Sequence, residues 1–430
     1  MVPLTVRRWL DRTCFALATL AVVTLGFVQG RLTVTLPLLA LGLGPVSILN
    51  ATVACLSFAA MLLVSGGIFV GEVARERRRR PLPTSGPTVA AVVPSYGDAG
   101  ALHRSVESLL DSDYEDVRVF VVCEPGDDET LATAGTLAER GRVTCLVNDR
   151  NPGSKAAAVN YAVERIEAPY VGVFDADERV HPSFLPAAVS GLDDHEAVQG
   201  RTFPRPDGAL ETVAYYESVV LGYLTPRLIA LVTGFDVVAS NALVIRRGTY
   251  DRVGGYDPAM LTEDFDFAFR CYEADVSVHT SFAYSSEIEG AHTVGDWWGQ
   301  RKRWMTGYAQ VFHHVLGRLS PLDRPRSVVS TAFCAGALLG NFALLSLVPQ
   351  GLVLLRTGVA WVLVTTFAAV WGVTLVARLL DVRAGVVDRV GVGWLFAPAF
   401  LPLYSLAAIK GIVEYPISWQ GEWFRVRKEG

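Results

Sequence analysis

The chain has 430 residues, 51% of them hydrophobic, a mean hydropathy of +0.33 and a formal net charge of −5. That apolarity excludes an ordinary soluble enzyme. The charge argues neither for nor against an anionic partner and no nucleic-acid polymer is expected; the six cysteines form no C-x-x-C pair, carry no metal spacing and read as reduced, mostly buried thiols.

Arg7, Arg8 and Arg12 precede an apolar run at 13–29, which is too long for a secretory signal core and reads as a signal anchor. The uncharged stretch 32–71 is too long for one helix and is broken by Pro37, Gly42, Gly44 and Pro45, so the second span falls at 46–70. The basic run 75–80 follows, and basic flanks stay cytoplasmic, so two crossings return the chain to that side. From residue 88, short apolar runs at 89–93, 117–122, 143–147 and 170–174 read as buried strands, with helical periodicity between them at 101–110, 129–140 and 154–166. This alternation predicts an α/β domain with a doubly wound, Rossmann-type sheet whose ligands sit at the carboxyl ends of the strands, at 94–98, 123–128 and 175–177. Further spans are expected at 329–352, 359–377 and 390–409. Three crossings would leave the tail, with Arg425, Arg427 and Lys428, outside; Pro398 and Pro402 make the last run a re-entrant or interfacial segment instead. The resulting plan is a membrane region at 1–71, a basic linker at 72–87, the catalytic domain at 88–296, interfacial helices at 297–326, and a membrane region with two to three spans and a cytosolic tail at 327–430.

Three clusters carry chemistry. Asp175 and Asp177 end an apolar strand as a D-x-D, a spacing at which two carboxylates share a hard divalent cation and the diphosphate it bridges; Glu178 beside them adds charge and reads as solvated. Thr262-Glu263-Asp264 opens a helix, with threonine at the N-cap and acids in the first turn, where a base can also sit. Gln300, Arg303 and Trp304 fall on one helical face, an amide, a guanidinium and a flat ring suited to a sugar stacked near a diphosphate, while Arg301 and Lys302 face lipid headgroups. His181, His292, the 313–314 histidine pair, the acidic helix start 127–129 and Tyr215-Tyr216 read as structural.

D-x-D, T-E-D and Q-x-x-R-W, in that order between membrane spans, resemble the processive family-2 glycosyltransferases that make cellulose, hyaluronan, chitin or poly-N-acetylglucosamine. The resemblance implies a GT-A-like cytosolic domain between transmembrane helices, a UDP-sugar donor, Mg2+ or Mn2+, and a glycan or lipid acceptor at the plasma membrane. It places Pro94, Tyr96 and Asp98 at the nucleotide, with Tyr96 stacked on uracil and Gly97 where the family has asparagine. Glu124 stands where the family has aspartate at the base or ribose. Lys155 and Arg303 fall near the diphosphate, Asp177 is the main metal ligand, and Asp175 touches nucleotide or metal. Asp264, next to Glu263, is the general base, and Gln300, Trp304, Asn241 and Arg201 shape the acceptor pocket. The chemistry is coherent: cation, Lys155 and Arg303 stabilise the departing phosphate, Asp264 takes the acceptor proton, and no carboxylate nucleophile is required, so a single displacement inverts the sugar. A polymer and a single-addition glycolipid product both fit.

Overall fold

The computed structural model describes residues 4–34, 44–78, 81–317 and 325–418. Pro37, Gly42, the last two arginines of the basic run and the basic tail residues Arg425, Arg427 and Lys428 lie outside the described residues. The chain divides into two compact units, Gly67–His292 and the described residues of Met1–Gly66 with Thr293–Val426.

The Gly67–His292 unit is built on seven strands: β1 (Val89–Ser95), β2 (Val117–Cys123), β3 (Val143–Val147), β4 (Tyr170–Val173), β5 (Ala197–Pro204), β6 (Leu243–Arg246) and β7 (Val278–Ile288). Their order is β3-β2-β1-β4-β6-β5-β7. The sheet is parallel except for β6, which runs antiparallel to both β4 and β5. The sequence alternation points to a uniformly parallel sheet; the reversal comes from the four-residue β6, too short to declare a direction by pattern. Since β6 is flanked by two reversals, β4 and β5 point the same way, and the carboxyl ends of β1, β4, β5 and β7 share one edge.

Helices α3 (Ala99–Leu110), α4 (Asp128–Ala138), α5 (Lys155–Val163) and α6 (Phe184–Gly191) connect the strands. β1 is buried along its whole length, as a central strand covered on both faces must be. Leu102, Val106 and Leu109 of α3, with Phe174 and Phe184, pack on its Val89, Ala91 and Val93 face. Two anchors tie in the last turns of the long helix α2 (Gly44–Arg77). Glu72 pairs with Arg227 at 2.6 Å, and one turn later Glu76 accepts from the Ser281 hydroxyl (2.5 Å) and the N–H groups of Phe282 and Ala283 (both 3.0 Å).

The other unit is helical. The first predicted span lies within α1 (Leu4–Val34). Four helices are long and apolar enough to cross a membrane among the described residues: Ser47–Arg77, Arg326–Arg356, Ala360–Arg383 and Gly393–Ser418. The last includes a continuous 22-residue α-helix, Ala397–Ser418, that tolerates Pro402 and Pro416 inside it and reaches roughly 33 Å, a full bilayer core.

Candidate active site

At the shared edge of the sheet, Asp175 follows β4 and is held on both oxygens. Lys155 Nζ donates to Oδ1 at 2.5 Å, and Asn241 Nδ2 donates to Oδ2 at 3.0 Å. Lys155 is the first residue of α5, which starts there because Ser154 caps it, its hydroxyl accepting the Ala157 N–H at 3.3 Å. Burial works against the Lys155 ammonium, but the charges of Asp175, Glu263 and Asp264 outweigh it and raise its pKa. The D-x-D and T-E-D segments, 87 residues apart, therefore bear on one cation. A second link runs through the turn before β6, where the Ser240 hydroxyl donates to Glu263 at 3.1 Å beside Asn241.

Glu263 and Asp264 open α10 (Glu263–Glu273), where they and Asp266 put three carboxylates in the first turn, suited to the positive helix end. Thr262 occupies the N-cap position, yet its hydroxyl makes no cap bond. The approach to this helix is fixed by a hub. Asn160, on α5 with Lys155, donates to the Tyr256 carbonyl (2.7 Å) and accepts from the Tyr250 hydroxyl (2.6 Å) and the Tyr256 N–H (3.1 Å). The Tyr256 hydroxyl in turn donates to the Ala239 carbonyl at 3.0 Å. Gly255 precedes it at φ +67°, and a Cβ there would lie 2.6 Å from Asn160 Oδ1. Sequence reasoning missed this hub; its signal was the glycine pair before Tyr256.

Asp177 lines an open cavity of about 500 Å³ with Arg104, Arg179, Arg205, Glu287 and His292 among its walls. His292 is clasped there by Glu211 (2.8 Å) and Glu289 (2.9 Å). Among the described residues no group of three or more His, Cys, Asp or Glu side chains is arranged to hold a metal. A hard cation held by one or two carboxylates, with substrate phosphate and water completing its shell, needs no such group, and Asp175 and Asp177 carry the oxygen donors it takes.

Tyr96 is 59% exposed at the end of β1, after the buried Pro94, and its N–H meets Asp98 Oδ2 at 3.4 Å. Gly97, at φ +63°, donates to Asp127 Oδ2 at 2.5 Å. Glu124 is buried and accepts from Asn148 Nδ2 (3.3 Å) and the Gly153 N–H (2.8 Å), so it anchors the loop that leads to Lys155. Arg201 is also buried, its guanidinium 4.7 Å from the Tyr223 ring centre, and shares with Gln199 and Asn241 the wall of a cavity of about 100 Å³.

Two expectations are corrected. Glu178 is not solvated: it is fully buried, and burial, then the Asp175 charge, push its carboxyl up to about 8. Arg301 does not face lipid headgroups: it is 2% exposed, 5.2 Å from the Trp297 ring and 4.8 Å from Trp304. Gln300, Arg301, Arg303 and Trp304 all lie on α11 (Val294–Gly317), in the helical unit, where Lys302 pairs with Glu414 at 2.8 Å.

A mixed sheet with a D-x-D at the end of its fourth strand is the GT-A-like α/β fold. The mannosyltransferase PcManGT from Pyrobaculum calidifontis, solved in complex with GDP-Man and Mn2+, matches it with a TM-score of 0.51 at 18% identity, over 86% of this chain and 99% of that one. Residues 87–307, just over half of the sequence and including all three motifs, match Glycosyltransferase like family 2, and the chain belongs to that family. It is similar to beta-monoglucosyldiacylglycerol synthase of Synechocystis sp., 26% identical over 51% of this chain and 48% of that protein. It is also similar to cellulose synthase 2 of Novacetimonas hansenii, 26% identical over 70% of this chain and 19% of that protein. The chain thus spans about half the length, or less, of these curated relatives.

Proposed function

We propose that the chain is an inverting membrane glycosyltransferase that moves a hexose from a UDP-sugar to a growing polysaccharide at the cytoplasmic face of the plasma membrane. The observation that carries this reading is the Lys155 ammonium among Asp175, Glu263 and Asp264. An acid pair and a cation at the sheet edge are what the departing diphosphate and the incoming hydroxyl require.

Asp177, with Asp175, would hold Mg2+ or Mn2+, whose charge when bound neutralises the diphosphate oxygens. Lys155 supplies a fixed positive charge to the same leaving group, in a position set by Asp175 and α5. Exposed Tyr96 offers a face to the base, and Glu124 holds the loop carrying Lys155. Asp264 takes the acceptor hydroxyl proton as the acceptor oxygen bonds to the anomeric carbon and the bond from that carbon to the diphosphate oxygen breaks. One displacement inverts the anomeric centre. Asn241 and Arg201 are assigned to the acceptor.

A second reading has a diacylglycerol-type lipid as acceptor. It is favoured by the extent of the match to beta-monoglucosyldiacylglycerol synthase, 48% of that protein against 19% of the cellulose synthase. Incubating the purified protein with labelled nucleotide sugars, lipid vesicles containing diacylglycerol, and Mn2+ or Mg2+ separates the two. Label in an ethanol-insoluble polymer supports the first reading and label in the chloroform phase the second. No transfer from any nucleotide sugar contradicts both.

A further inference from the structure

One buried carboxylate has no task in the chemistry above. Glu178 is 0% exposed, a state in which glutamate almost never occurs unless partnered. Its partners are backbone groups: Oε2 accepts the N–H of Asp175 at 3.0 Å and that of Ala242 at 3.2 Å.

The location of these two N–H groups gives the contact its meaning. β4 and β6 pair antiparallel with Val173 opposite Leu243, and the ladder stops there. Just beyond, one chain becomes the D-x-D loop and the other is the turn Ser240-Asn241-Ala242. Ala242 has φ +42°, in the left-handed region that a residue with a Cβ avoids. Such a conformation persists only when its surroundings over-determine it. They do so here from both sides. Glu178 holds the Ala242 N–H, the Gly200 N–H meets the Ala242 carbonyl at 2.7 Å, and Gln199 Nε2 meets the Asn241 carbonyl at 2.9 Å. The strained turn delivers the Asn241 amide to Asp175 Oδ2.

We infer that Glu178 is a positioning residue: by clasping the Asp175 and Ala242 N–H groups on one oxygen, it locks the D-x-D loop to the turn before β6 and so aims the Asp175 and Asp177 carboxylates. The clasp works through reach and acceptor capacity, not charge. Glutamine reproduces it, because its carbonyl oxygen can accept both N–H groups and its NH2 can donate to the neighbouring buried Ser286 hydroxyl. Aspartate keeps the carboxyl group but is one methylene too short to meet both donors.

The inference rests on the proposed transfer reaction only for its kinetic readout. The test compares wild type with Glu178→Gln, Glu178→Asp and Glu178→Ala in the full chain, in nanodiscs, at a temperature on each variant's native baseline. Mn2+-dependent UDP affinity and turnover of the donor are measured. Glu178→Gln is expected within about threefold of wild type, while Glu178→Asp and Glu178→Ala lose about 10–100-fold in Mn2+-dependent affinity, the usual range for a group that orients a metal's ligand. Ala242→Gly, which removes the left-handed strain, should restore part of the Glu178→Asp loss and keeps the comparison possible if Glu178→Asp alone does not fold. Rescue by Asp and not by Gln would overturn the inference, since the ionisable carboxyl, not reach, would then be the acting property. So would variants that melt earlier yet bind with wild-type affinity. If wild type itself binds no UDP, the transfer reading fails, and amide hydrogen exchange decides the clasp: Asp175 and Ala242 protected in wild type and Glu178→Gln but fast in Glu178→Asp upholds it, and equal protection in all three overturns it.

Discussion

Replacing Lys155 by methionine removes the charge and keeps most of the side-chain volume. At the 2.5 Å separation of Nζ and Asp175 Oδ1, the gross attraction is roughly 7 kcal/mol at an effective dielectric of about 20. Desolvation offsets much of that, and removing one partner of a buried pair costs about 3–5 kcal/mol net. The side chains are 19% and 28% exposed, so water screens part of the interaction and the low end, about 3 kcal/mol, applies. The same charge is assigned to the leaving diphosphate, where losing one fixed stabilising group costs about 10²–10³ in rate. Lys155→Met should therefore lower the melting temperature and reduce kcat/KM by at least about 100-fold, read as UDP release in a coupled assay. Lys155→Arg, which keeps the charge but not the compact ammonium, should fall between. A Lys155→Met protein within fivefold of wild-type kcat/KM would refute the assignment.

Chelation by EDTA should abolish turnover and restored Mn2+ recover it, while Asp177→Asn should show no recovery at any Mn2+ concentration; full activity in EDTA would contradict the metal role. Gly255→Ala places a Cβ 2.6 Å from Asn160 Oδ1 at φ +67°, and should cost about 1–3 kcal/mol in stability by thermal or denaturant melting, whereas an unchanged melt would show that the hub is slack. His292 is raised above its usual pKa, first by the Glu289 hydrogen bond, with burial opposing and Glu211 adding to the rise. Its ion pairs thus stabilise the fold fully below the unfolded value of about 6.5 and lose that contribution as pH climbs through the raised folded value. Wild type should lose more melting temperature than His292→Gln between pH 6 and pH 9; parallel profiles would remove His292 from the account.

Much of this was legible in the sequence where local pattern and structure coincide. The run 143–147 is β3 to the residue, and the D-x-D falls at the end of β4, because buried strands between helices leave their polar residues at the strand ends. What escaped were contacts decided across long separations. Glu178 follows two acids and reads as one more solvated charge, yet its burial is fixed by the N–H of Ala242, 64 residues on. Glu124 also accepts from Asn148 and Gly153, neighbours that no spacing announces. Arg301 could have been read correctly. Trp297, Arg301 and Trp304 recur at i, i+4 and i+7, one face of a helix, so a guanidinium between two indoles was there to be seen.

The central claim, that D-x-D and T-E-D serve one sugar–phosphate bond, is tested most directly by Asp264→Asn. With Mn2+ and the preferred donor, the account predicts transfer reduced by at least about 1,000-fold with UDP-sugar affinity within a few-fold of wild type, because the amide keeps the size of the side chain but cannot take a proton. Near-normal turnover by the Asp264→Asn protein, or loss of donor binding in step with loss of activity, would contradict it.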